Sequence, residues 1–343
     1  MKSAAPPRIG PRRRAIRPRP VAVCLSLAVV VAGVCVVTLG TGDITLSPTE
    51  VLAALLGGGG RTDRIVVLDW RLPRVLAALT FGAALALSGA IFQSLTRNPL
   101  ASPDILGFSA GSYTGALIVI IVFSGGHTEV AAGALLGGLL AAALVYTLSV
   151  RSGLRGFRLI VVGIALAASL GALNTWMVLR ADIEVAVTAA AWEAGSLSTV
   201  TRERIVPAMI VIAVLLVVLR LLAPLLRHLE LGDDAARALG LRVEPAKLAL
   251  VVVGVALIAI VTAVAGPIAF VALAAPHIAR LLVRGHALLL TATALTGSLL
   301  LTVADLAAQH LWRTPLPVGV ATVVLGGGYL VWLLLHEIWR TRS

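Results

Sequence analysis

Ten apolar stretches, each about 20 residues long, alternate with short polar joints along this chain: 21–39, 76–95, 105–123, 130–150, 158–178, 205–226, 248–265, 267–283, 287–307 and 317–337. Hydrocarbon offers a backbone no hydrogen-bond partners, so a segment inside it must pair its own amides. Only helices and closed barrels do so, and barrel strands alternate apolar with polar residues. These runs do not alternate. The pattern predicts an all-α polytopic membrane protein of about ten transmembrane helices, a single ten-helix domain over 21–343 behind a basic arm at 1–20.

Composition agrees: 59% of the 343 residues are hydrophobic and 13% charged, with a mean hydropathy of +1.01. A water-soluble fold needs no such excess. The net charge of +12 falls in clusters between apolar runs rather than on one soluble face, so it marks topology and not nucleic acid. Twenty of the 28 Lys and Arg lie in the arm and in alternate joints, Arg97, Arg151, Arg155, Arg227 and Lys247 among them. The other joints hold eight. The positive-inside rule then predicts both termini in the cytoplasm. The first run is longer than the core of a secretory signal and is read as a retained span. Cys24 and Cys35 both fall in it, about 16 Å apart along a helix, too far to bridge.

The joints carry the chemistry. In "LTRNPLASPDILGFSAG" (95–111), Arg97 and Asn98 are expected to end the second span, Pro99 to prevent its continuation, and Pro103 with Asp104 to cap the third. Gly107, Ser109, Gly111 and Gly115 form a stripe for close helix contact. "LLGGGG" (55–60) is a flexible turn, since no helix-opening lysine follows it. At 227–247, Asp233 and Asp234 are placed to cap a short helix that Gly240 ends, with Leu229, Leu231, Leu239 and Leu241 available for docking.

No nucleotide-driven engine of the P-loop kind is legible in the sequence, which leaves a passive or structural membrane protein or a permease driven by a separate subunit. A nucleotide-binding P-loop places its lysine directly after glycine, and neither Lys2 nor Lys247 does so. Ionisable groups within apolar runs reduce to Asp305, His277 and Arg280, with Asp104 at an interface. The six histidines are scattered without ligand spacing. No metal site, cofactor or catalytic residue is expected.

Four stretches carry a resemblance: "WRLPRVLAALTFGAALALSGAIFQSLTRNPLASPDILGFSAG" (70–111), "LELGDDAARALGLRV" (229–243), "AGPIAFVALAAPHIARLLV" (265–283) and "PLPVGVATVVLGGGYLVWLL" (315–334). In this order they resemble the FecCD-type permeases, the membrane subunits of ABC importers for iron siderophores and vitamin B12. Residues 157–198 are more similar to the ferric-enterobactin branch than to the B12 branch. The resemblance implies a catecholate siderophore as cargo, carried chelated across the cytoplasmic membrane. It implies a second permease subunit, alike or unlike, two ATP-binding subunits that hold the ATP and Mg, and an external binding protein.

The resemblance also implies residue roles. Leu231, Gly232, Asp233, Asp234, Ala238, Leu239 and Gly240 would couple to the ATPase. Arg71 and Arg74 would dock the binding protein. Where the B12 pattern has a further arginine and a glutamate, this chain has Gln309 and Pro315, leaving His310 or Arg313 to serve. Asn98, Pro99, Ser109, Gly156, Phe157 and Asn174 would border the translocation path or its gate. Rival readings are a haem or B12 importer, a proton-coupled carrier, and a membrane scaffold without transport.

Overall fold

The computed structural model describes residues 18–150, 156–284 and 290–342. Most of the basic arm, with Arg151 and Arg155 of the charge pattern, lies outside them. Among the described residues every regular element is helical. The chain runs through α1 (Pro18–Gly40), α2 (Pro48–Leu55), α3 (Arg61–Arg64), a π-helical segment (Ile65–Arg71), α4 (Leu72–Thr96), α5 (Phe108–Val122), α6 (His127–Val150) and α7 (Gly156–Arg180). It continues through α8 (Ile183–Glu193), α9 (Arg202–Glu230), α10 (Asp233–Ala238), α11 (Val243–Ala265), α12 (Val271–Val283), α13 (Leu290–His310) and α14 (Val318–Arg342).

Each predicted apolar stretch contains a helix among its described residues, with 105–107 and 267–270 lying before the helix starts. Among the described residues seven helices are long and apolar enough to cross a membrane, while Phe108–Val122, Val271–Val283 and Val318–Val331 are apolar but shorter. The joint after α4 forms as its sequence requires: Arg97 turns left-handed at φ 52° just past the last helical residue, and Asn98 Oδ1 accepts the Leu100 amide at 2.9 Å. The start of the next helix differs from expectation. Residues 103–106 form turns, and α5 begins only at Phe108 behind Gly107 at φ 82°. Asp104 therefore caps no helix. Its Oδ1 accepts the Ser109 hydroxyl at 2.6 Å, a bond available because the hydroxyl projects back over the turn.

α4 is the axle of the bundle, packed by α9, α11, α12 and α13. Its small residues allow this. A Cβ on Gly82 would enter the van der Waals shell of the Gly297 carbonyl on α13, and one on Gly89 would strike the Ala272 carbonyl on α12. Polar bonds fix the register: Ser88 donates to Gly254 O at 2.7 Å on α11, and Ser298 donates to Leu79 O at 2.7 Å. In a membrane, where apolar area alone does not favour helix over lipid, backbone proximity and such bonds set association. The predicted stripe works in the same way, with Gly111 and Gly115 meeting the Gly137 and Gly133 carbonyls of α6.

Candidate functional site

Three regions hold the candidate residues. The first is an open-sided cavity of about 560 Å³ lined by α5, α7, α8 and the segment after α11. Ser109 and Asn174, predicted separately for the path, both line it, with Tyr113, Thr175, Glu193 and Pro267. Asn174 is 4% exposed and is held by α5: Thr114 Oγ1 donates to its Oδ1 at 2.7 Å, and its Nδ2 donates to Ala110 O at 3.3 Å. Tyr113 stacks on Trp192 at 5.9 Å between ring centroids. That stack brings α8 against α5 and so closes one wall.

The other path candidates do not join this cavity. Asn98 and Pro99 form the turn after α4. Gly156 and Phe157 open α7, and Phe157 is 80% exposed. At 1.5 Å per residue they stand about 27 Å along α7 from Asn174. Sequence reasoning missed Tyr113, Glu193 and Pro267. Of these only Glu193 lies on the eleven-residue α8, which is too short to stand out as an apolar run.

The second region is α10, at the end of the bundle where α4 and α9 finish and α11 begins. The expected short helix is present, with Gly240 at φ 83° beyond its end. Its start is made differently than expected. Gly232 at φ 106° occupies the N-cap and no side chain caps it. Asp233 instead accepts from Lys247 Nζ at 2.6 Å, and Asp234 pairs with Arg237 at 3.1 Å. Leu231 and Leu239 are 65% and 62% exposed, and Ala238 and Gly240 lie beside them at the surface. Leu229 is buried and Leu241 packs against the core, so neither is available for docking.

The third region is the opposite end of α4. Arg71 donates Nη1 to Leu39 O at 2.8 Å and Nη2 to Ile44 O at 2.5 Å. Arg74 grips Asp305 of α13 through Nε and Nη2, both at 2.9 Å, and Gln309 adds a bond to the same carboxylate at 2.8 Å. Asp305 is 1% exposed. Both arginines line a crevice of about 340 Å³, and Arg313 is exposed in the turn between α13 and α14. His277 meets Tyr329 edge-on at 6.1 Å.

An all-helical bundle with a side cavity and a short surface helix is the architecture of a polytopic membrane protein. The chain belongs to the FecCD transport family, whose model matches residues 28–336. It is 49% identical over 317 residues to the ferric enterobactin transport system permease protein FepG of Escherichia coli (strain K12), covering 92% of this chain and 96% of that one. It is 37% identical to the hemin transport system permease protein HmuU of Yersinia pestis over 79% of this chain and 83% of that one. A solved inward-facing metal-chelate type ABC transporter superposes with a TM-score of 0.82 at 28% identity, over 92% of this chain and 99% of its own.

Proposed function

We propose that this chain is the permease subunit of an ABC importer that carries a ferric siderophore of the catecholate class across the cytoplasmic membrane. The observation that carries this reading is the 49% identity to the ferric enterobactin permease over nearly the full length of both chains. In this reading seven long and three shorter apolar helices give ten spans with both termini in the cytoplasm, and a second permease subunit pairs with this one. The cavity holding Ser109 and Asn174 borders the shared path.

The exposed apolar edge of α10, Leu231 with Leu239, is the surface offered to an ATP-binding subunit. ATP and Mg belong to that partner. At the opposite end Arg71, Arg74 and Arg313 face the substrate-binding protein, with Arg313 the most accessible of the three. Alternation of two rigid bundles about the path would follow closure of the ATPases. The geometry disfavours a proton-coupled carrier. Its best sequence candidate, Asp305, is 1% exposed and has both carboxylate oxygens bonded by Arg74, with Gln309 on one of them.

Uptake of radiolabelled iron tests the reading in cells lacking this chain and complemented with it. Loss and rescue confined to ferric enterobactin, with a ferric hydroxamate and vitamin B12 unaffected, is the expected result. Unchanged uptake of all three would overturn it. Leu231→Asp with Leu239→Asp is expected to abolish co-purification of the ATPase, whereas a scaffold without transport would show no effect on uptake.

A further inference from the structure

The C-terminal end of α4 carries three polar side chains within five residues, and each reaches a different helix. Gln93 donates to Leu273 O at 3.0 Å and accepts from the Arg280 guanidinium, both on α12. Ser94 donates to Glu230 Oε1, on the last residue of α9, at 3.2 Å. Arg97 lies 3.9 Å from Asp233 Oδ1 at the first residue of α10. The other oxygen of Asp233 takes the 2.6 Å bond from Lys247, which is 4% exposed in the second turn of α11.

The two adjacent aspartates of α10 thus do different things. Asp234 points to solvent and pairs within its own helix. Asp233 turns to the body of the bundle, where it compensates a lysine that burial would otherwise penalise heavily. This matters because α10 is six residues long and buries only Ala236. A helix that short has no independent stability in water. Pushed from outside without an anchor, it would yield locally and pass nothing on.

We infer that Asp233 is a positioning residue, and that its latch to Lys247 and Arg97 fixes α10 to α11 and α4 so that displacement of α10 is delivered to α4 and, through Gln93 and Arg280, to α12. The inference rests on the proposed meeting of α10 with an ATPase. It assigns the contact itself to Leu231, Leu239 and the exposed edge, and the transmission to the buried acid.

The test uses the complete transporter in proteoliposomes with its binding protein, reading cargo moved per ATP hydrolysed. Lys247 is too buried to touch another chain. Lys247→Met is expected to keep ATPase co-purification and basal hydrolysis while lowering cargo per ATP about fivefold. Asp233→Asn should lower it equally, the double variant no further because both break one latch, and Asp233→Glu should restore most of it. Wild-type stoichiometry in Lys247→Met would overturn the inference. So would loss of the ATPase from Asp233→Asn alone, which would place Asp233 in the contact.

A second readout needs no variant to fold. An amine-reactive probe on the purified native wild-type chain should spare Lys247 and label it once the chain is denatured. Labelling of Lys247 in the native chain as fast as in the denatured one would exclude the latch. If the wild type binds no ATPase, the proposed function fails, while the labelling still decides the latch.

Discussion

α4 and α7 have equal lengths of 25 residues and similar apolar windows, with mean hydropathies of 2.1 and 1.8, yet 78% of the first window is buried and only 17% of the second. Hydropathy does not separate them. What does is where their polar and small residues lead. On α4, Arg74, Ser88, Gln93 and Ser94 all bond to other helices, and Gly82 and Gly89 sit under neighbouring carbonyls. On α7, Ser169 and Thr175 bond back to their own carbonyls at Ala165 and Gly171. Asn174 reaches across to α5. One helix is an axle and the other a wall, and the wall's inner side lines the cavity that the proposed function assigns to the path.

The contrast is broken most severely at glycine. Gly89→Leu, forced into the Ala272 carbonyl, is expected to abolish accumulation of the chain in membranes, read by immunoblot. Gly171→Leu on α7 meets nothing within 4 Å and should accumulate normally. Because Gly171 lines the cavity, the same variant should instead lower uptake. Normal accumulation of Gly89→Leu would refute the axle.

Next in size is the buried ion pair. Asp305→Ala leaves the Arg74 guanidinium without its carboxylate, and should cost about 3 kcal/mol in thermal or denaturant unfolding in detergent. Adding Arg74→Ala should recover part of that loss. A double variant worse than the single would show that the pair is not acting as one unit.

A smaller difference separates two serines of similar sequence context. Ser88→Ala removes the link to α11 and should cost about 1 kcal/mol. Ser169→Ala, on the exposed wall, should stay within about 0.5 kcal/mol of wild type. The smallest effect is the coupling of Thr114→Val with Asn174→Leu, expected near 0.6 kcal/mol by double-mutant cycle. No measurable coupling would detach Asn174 from α5 and loosen that side of the cavity.

Much of this was legible from residue order. The ten apolar runs became helices, the Arg97–Pro99 stop ended α4, the glycine stripe packed α5 on α6, and the short helix at 233–238 formed where aspartates precede "AARALG". Site residues were legible in type but not in partnership. Ser109 and Asn174, both expected to border the path, line one cavity, whereas Gly156 and Phe157, expected there too, stand at the far end of α7. Arg71 and Arg74 read as surface arginines, yet each is bonded within the chain.

The sequence by itself determined that this is a helical membrane protein and to which family it belongs, because hydrocarbon forces each spanning segment to pair its own backbone and because four long motifs recur in order. Tertiary structure alone decided that α4 is enclosed and α7 exposed, that Asp305 belongs to Arg74 across 231 residues of chain, and that Asp233 faces Lys247 while Asp234 faces solvent. Those outcomes depend on which helix lies beside which, and in an apolar solvent that choice is made by backbone proximity and by pairs of polar groups far apart in sequence. No local window of residues contains both Arg74 and Asp305.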